Sequence, residues 1–119
     1  MRDKIEELYD TSDTGIAMVG QFEKCGLSVN PDKLREVWVD CAVANLSAQE
    51  VDKCLQMYQD MPFLRLFDRK ILNGSATMSE RIANEKKLKA YWPGFMNMRT
   101  KFGKALEEAL VENFVEIVV

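Results

Sequence analysis

The sequence contains no histidine. This absence removes the Ser-His and Cys-His pairs that activate most hydrolytic nucleophiles. Cysteine is scarce too. Cys25, Cys41 and Cys54 are the only three, and no two stand in a C-x-x-C pair. Together the two shortages exclude a zinc site of ordinary type. With three prolines and six glycines, the chain has few of the turns that a sandwich of short strands needs. Charge of one sign is also lacking. The net charge of −3 sets up no strong field for nucleic acid or an anionic membrane. No apolar run approaches the roughly 20 residues that span a bilayer. Gly15, Gly20 and Gly26 are too widely spaced for a phosphate-binding loop and follow no strand.

What is present is helical periodicity. The 119 residues suffice for one compact domain, 1–119, and 47% of them are apolar. Ile5, Leu8 and Tyr9 share one side of a short first segment. Asp10 to Asp13 then offers a polar break with capping residues. Ile16, Met18, Val19 and Phe22 mark a second helix, which Gly26 can end in a left-handed conformation.

Asn30-Pro31 is a start signal, with Asn as cap and Pro at the first helical position. Leu34, Val37, Trp38, Cys41 and Ala42 follow on one face. Ser47-x-x-Glu50 and Thr77-x-x-Glu80 are capping boxes, in which a hydroxyl and a carboxylate satisfy each other's free backbone amides. Between them, Pro62 ends one helix and Asn73-Gly74 stops the next. Pro93-Gly94 breaks or bends the charged segment after Thr77. Phe95, Met98, Phe102, Ala105, Leu106, Ala109, Leu110, Phe114 and Ile117 then form one long stripe.

The pattern predicts an all-α fold: five or six helices in an antiparallel bundle-like array with a long C-terminal helix. The 30–45 and 47–60 segments are expected to form a central hairpin. Trp38, Tyr58, Phe63, Phe67, Phe102 and Leu106 are expected to contribute to the core.

From Val39 to Lys70, the run Ala42-Val43-Ala44-Asn45, Leu46-Ser47-Ala48-Gln49-Glu50-Val51 and Tyr58-Gln59-Asp60-Met61-Pro62 resembles the bacterial domain-of-unknown-function family 2059. The resemblance rests on a Ser/Thr-capped helix leading to an aromatic, polar residues and a proline. It implies a small helical protein of the periplasm, exported through a signal peptide that is later removed. It implies nothing about chemistry. The chain as given has no hydrophobic stretch behind Met1, so a mature periplasmic form and a cytoplasmic protein are both open readings.

Four sets of residues are candidates for function. Cys41 lies six residues before Ser47 and Cys54 seven after it, so a hairpin centred there brings them level. In an oxidising compartment they are the candidate disulfide, closing a short loop worth up to ~3 kcal/mol. Otherwise all three cysteines serve as small apolar residues. Met57, Met61, Phe95, Met96 and Met98 could line an adaptable apolar groove, or could fill gaps in a helical core. Glu107, Glu108, Glu112 and Glu116 read as a solvated acidic face, since a bundle metal site would want histidine beside them. Lys86, Lys87, Lys89, Arg99, Lys101 and Lys104 likewise read as a solvated face. Asp60, Asp68 and Arg69 offer no recognisable acid–base set.

The expectation is therefore a non-enzymatic binding or assembly module, of the bacterial cell envelope if the resemblance holds. The alternative is a carrier of a small apolar ligand, such as a lipid, in a cleft of methionine and aromatic side chains. No metal or cofactor is expected, nor nucleic acid, nor a transmembrane segment. The apolar end of the chain, Val115, Ile117, Val118 and Val119, suggests self-association into a homodimer or larger.

Overall fold

In a computed structural model, which describes residues 1–72 and 74–114, the chain is all-helical. Among the described residues seven helices follow in order: α1 (Arg2–Thr11), α2 (Thr14–Lys24), α3 (Pro31–Asn45), α4 (Ala48–Asp60), α5 (Leu64–Leu72), α6 (Met78–Tyr91) and α7 (Phe95–Asn113). The expected five or six helices become seven because two short breaks are true interruptions. At Asp13 the backbone turns left-handed, with φ of 54°, a conformation that aspartate tolerates better than most side chains. At Trp92 it becomes extended before Gly94 starts α7. Val115 to Val119, on which the expected self-association surface rests, lie outside the described residues, as do Glu116 and Asn73.

The start signals operate as written. Asn30 Oδ1 accepts from the Asp32 and Lys33 amides at 2.9 and 3.2 Å. Ser47 and Glu50 exchange hydrogen bonds at 2.8 and 3.1 Å, and Thr77 and Glu80 at 3.2 and 3.1 Å. Each cap satisfies amides that would otherwise lack a partner, and replacing one by Ala costs about 1 kcal/mol.

The expected central hairpin of α3 and α4 requires correction. These helices are joined by Leu46 and Ser47, but α1 packs against both of them. Ion pairs follow the same route. Arg2 reaches Asp40 of α3 at 2.9 Å, Lys4 reaches Asp52 of α4 at 2.8 Å, and Arg35 of α3 reaches Asp10 at 3.1 Å. These pairs are exposed, so each adds little stability, but together they mark the register of α1. Its apolar side, Ile5, Leu8 and Tyr9, is buried, and a helix with that face covered is held chiefly by apolar burial.

The main core joins Ile5, Leu8, Tyr9, Trp38, Val39, Ala42, Leu46, Val51, Cys54, Met57, Leu64, Leu88, Trp92 and Phe95. A second, smaller cluster of Val29, Leu34, Val37 and Phe114 lies against Phe22 and Leu110. Of the expected core residues, Trp38 is buried, while Tyr58, Phe102 and Leu106 are half-buried against the main cluster. Phe67 is half-buried, and Phe63 is 42% exposed. Phe63 precedes α5 in the turn after Pro62, where the Lys87 ammonium sits 4.9 Å from its ring centre.

Candidate functional site

The α7 stripe packs against both core clusters, as its sequence suggests, but most of it is only partly covered. Only Phe95 within the helix is buried. Met98, Phe102, Ala105, Leu106, Ala109 and Leu110 are half-buried, and Met98, Phe102, Leu106 and Leu110 wall two hollows. One, of about 270 Å³, is lined by Phe22, Gly103, Leu106, Glu107, Leu110, Val111 and Phe114. The other, of about 410 Å³, lies among several helices and is the candidate site. Leu8 and Ser12 of the first helical turn region line it, with Trp38 from α3. Cys54, Met57 and Tyr58 come from α4, Leu64 and Asp68 from α5, and Leu88 from α6. Phe95, Met98, Arg99, Phe102 and Leu106 complete it from α7. Its volume falls at the lower end of the range for small-molecule pockets, about 300–1,000 Å³.

Its shape is set by aromatic packing. Trp38 takes Tyr9 on one side at a centroid distance of 5.2 Å and Phe102 edge-on at 5.3 Å, within the range that favours tilted and edge-to-face pairs. Tyr9 is itself fitted to Gly15, where a Cβ would come within 2.8 Å of Tyr9 Cε1 and closer still to the phenol end. The first turn of α2 thus approaches the wall because position 15 carries no side chain.

One end of the cavity is polar. Tyr58 Oη donates to Asp68 Oδ2 at 2.6 Å. Burial raises the proton affinity of the Asp68 carboxyl, against the opposing pull of the Tyr58 hydrogen bond and the Arg99 charge. Burial, then the neighbouring Asp68 charge, push the Tyr58 phenol far above its ordinary value. Ser12 is buried and bonds the Tyr9 carbonyl oxygen at 3.2 Å, with Thr14 Oγ1 2.5 Å away. Arg99 is exposed and forms no direct ion pair among the described residues. Beyond this end lies a vestibule of about 190 Å³ that shares Ser12, Thr14, Asp68 and Arg99 with the cavity and adds Ala17, Arg69 and Ile71.

Of the residues expected to form an apolar groove, Met57, Phe95 and Met98 line the cavity together. Met61 and Met96 are partly buried against the main core and do not line it. The sequence reading took Asp68 as part of no recognisable acid–base set and Arg99 as part of a solvated basic face, whereas both line the cavity. Met18, Trp38 and Phe102 joined the wall by tertiary packing.

Cys41 and Cys54 are both buried, and all three thiols are free. The levelling argument for a bridge required α3 and α4 to pack as a hairpin, and α1 packs against each instead. Cys41 Sγ accepts from Asn45 Nδ2 at 3.6 Å. Cys54 belongs to the main core and the cavity wall, where burial pushes its thiol up to about 12.

Glu107, Glu108 and Glu112 are exposed along α7, and among the described residues no three Cys, Asp or Glu side chains converge as a metal ion would require. Lys86, Lys87, Lys89, Lys101 and Lys104 are exposed too. No helix among the described residues is long and apolar enough to cross a membrane.

Neither a family model, nor a curated protein, nor a solved structure matches the chain. These comparisons give no support to the resemblance to domain-of-unknown-function family 2059.

Proposed function

We propose that the chain is a non-enzymatic binding protein that carries a small, largely apolar ligand in the cavity between α1, α3, α4, α5, α6 and α7. The observation that carries this reading is the hollow of about 410 Å³ walled by Met57, Phe95, Met98, Phe102 and Leu106. Aliphatic and aromatic walls supply the affinity through burial of apolar surface, about 25 cal/mol per Å² before the costs of association. A few polar groups at one end supply orientation. Met57 and Met98 are unbranched and adapt to guests of different shape.

Native mass spectrometry of freshly purified protein tests this. A co-purified mass that leaves on organic extraction and returns with a short-chain amphiphile is the expected result. A protein that shows only its bare mass, with tryptophan emission unmoved by any amphiphile, overturns the reading.

An assembly role is the second reading, and one observation favours it. Leu66, Met78 and Ile82 are 65%, 73% and 51% exposed, and Met78 and Ile82 stand one turn apart on α6, where exposed apolar side chains can meet a partner. Light scattering at high concentration tests it, and a strict monomer ends it. A place in the bacterial envelope belongs with the family resemblance. A signal peptide encoded upstream of Met1 would support it.

A further inference from the structure

The polar end of the cavity holds more positive than negative charge. Asp68 supplies one carboxylate to its lining and Arg69 and Arg99 supply two guanidinium groups, with the Asp13 carboxylate next to Arg69. Asp13 is shared between two arginines, with Oδ2 at 2.9 Å from Arg65 and 2.8 Å from Arg69. Asp68 accepts from the Tyr58 hydroxyl and makes no direct ion pair among the described residues. Arg99 makes no direct ion pair among the described residues, though its charge acts on Asp68, and it lines both cavity and vestibule together with the Ser12 and Thr14 side chains.

We infer that the ligand is a small amphiphile with an acidic head. Its head sits in the vestibule on Arg99 and Arg69, with the Ser12 and Thr14 hydroxyls beside it. Its tail lies inward against Met57, Met98 and Phe102. This deepens the binding reading above and rests on it. An anionic head suits the site because a guanidinium fork offers charge-assisted hydrogen bonds to a carboxylate or phosphate, stronger than those between neutral partners. A neutral head would leave the surplus charge uncompensated. An ammonium head would be repelled by the two guanidinium groups, Arg69 and Arg99, against a single lining carboxylate, Asp68.

The test compares decanoate, decanol and decylamine on the full chain, by calorimetry and by the emission of Trp38 in the cavity wall. Decanoate is expected to bind at least about tenfold more tightly than decanol, the ratio a charge-assisted hydrogen bond supports. Arg99→Gln should remove that advantage and leave decanol affinity unchanged, while Arg99→Lys retains most of it. Arg99 is exposed, so these variants should keep the wild-type circular dichroism spectrum. Asp68→Asn should tighten decanoate further by lifting the carboxylate that lines both cavity and vestibule. Decyl phosphate in place of decanoate then separates a carboxylate preference from a phosphate one. Equal affinity for decanol and decanoate, or tightest binding of decylamine, overturns the acidic head while the cavity remains a binding site. So does an undiminished preference in Arg99→Gln. Binding of none of the three overturns both.

Discussion

The Tyr58 hydroxyl and the Asp68 carboxylate, one on α4 and one on α5, share a hydrogen bond of 2.6 Å across the turn that holds Pro62. The bond closes the polar end of the cavity and leaves a desolvated carboxylate as part of its wall. That carboxylate makes stability depend on pH. Its folded proton affinity is raised above the ordinary value of 3.8, mainly by burial. Below that value it carries no charge in either state and exacts no penalty. As pH rises through the raised folded value, the charged form is favoured more in the unfolded chain, and stability is lost. Asp68→Asn keeps an acceptor for Tyr58 and removes the charge. Its melting temperature should exceed that of the wild type at pH 7, and the gap should close near pH 3.5. A gap of constant size across that interval would refute the linkage.

Gly15 and Gly20 stand on the same helix, α2, and should respond to alanine with opposite sign. At Gly20 a Cβ meets nothing within 4 Å, so Gly20→Ala should stabilise by about 0.5–1 kcal/mol through helix propensity alone. At Gly15 it would overlap the Tyr9 phenol, and Tyr9 is held by Trp38 in the main core. Overpacking of that kind costs about 1–3 kcal/mol. Urea denaturation of the two variants reads both signs.

Thiol reactivity should follow burial. Cys25 is exposed, whereas Cys41 and Cys54 are buried, and burial raises the proton affinity of both of the latter. The thiolate is the reactive form. Brief treatment with iodoacetamide at pH 7.5 should therefore add one label to the native protein and three in denaturant. A count of one in denaturant without reductant, rising to three with it, would show that the 41–54 bridge forms after all.

Phe102 and Leu106 separate stability from binding. Phe102→Ala removes an edge-on contact to Trp38 and should destabilise by about 3 kcal/mol, the lower end for such a truncation because the ring is half-buried. Leu106→Trp adds bulk where two hollows meet. It should abolish amphiphile binding by mass spectrometry while leaving the helical circular dichroism signal in place.

Asn84 is buried on α6, and its Oδ1 has no hydrogen-bond partner among the described residues. A buried acceptor left without a donor costs about 1–3 kcal/mol, and an apolar side chain of the same shape removes that cost. Asn84→Leu should raise the melting temperature. A fall would mean that a partner for Oδ1 exists in solution.

The sequence revealed the caps because each is written in contiguous residues. Asn30-Pro31, Ser47 to Glu50 and Thr77 to Glu80 need nothing beyond their own backbone to form. It misplaced the partner of α3 because the choice between α4 and α1 is made by side chains far apart in the chain. Arg2 and Asp40 are 38 residues apart, and Lys4 and Asp52 are 48 apart. Met57, Phe95 and Met98 were legible as an apolar lining from residue type. Arg99 was not, since a guanidinium on a lysine-rich stretch looks like any solvated charge until Asp68 and the Ser12 region are brought beside it. Phe102 and Leu106 were read as core because periodicity reports which side faces inward, and a cavity wall faces inward too.

The two ends of α7 are gripped unlike its middle. Phe95 near the start is 9% exposed and Phe114 just past the end is 3% exposed, while Phe102, Leu106 and Leu110 between them are only half-buried. Between those ends the helix is backed by two hollows, and the edge-on meeting of Phe102 with Trp38 ties its midspan to α3. If the cavity takes a guest, that span is the wall with room behind it to give way.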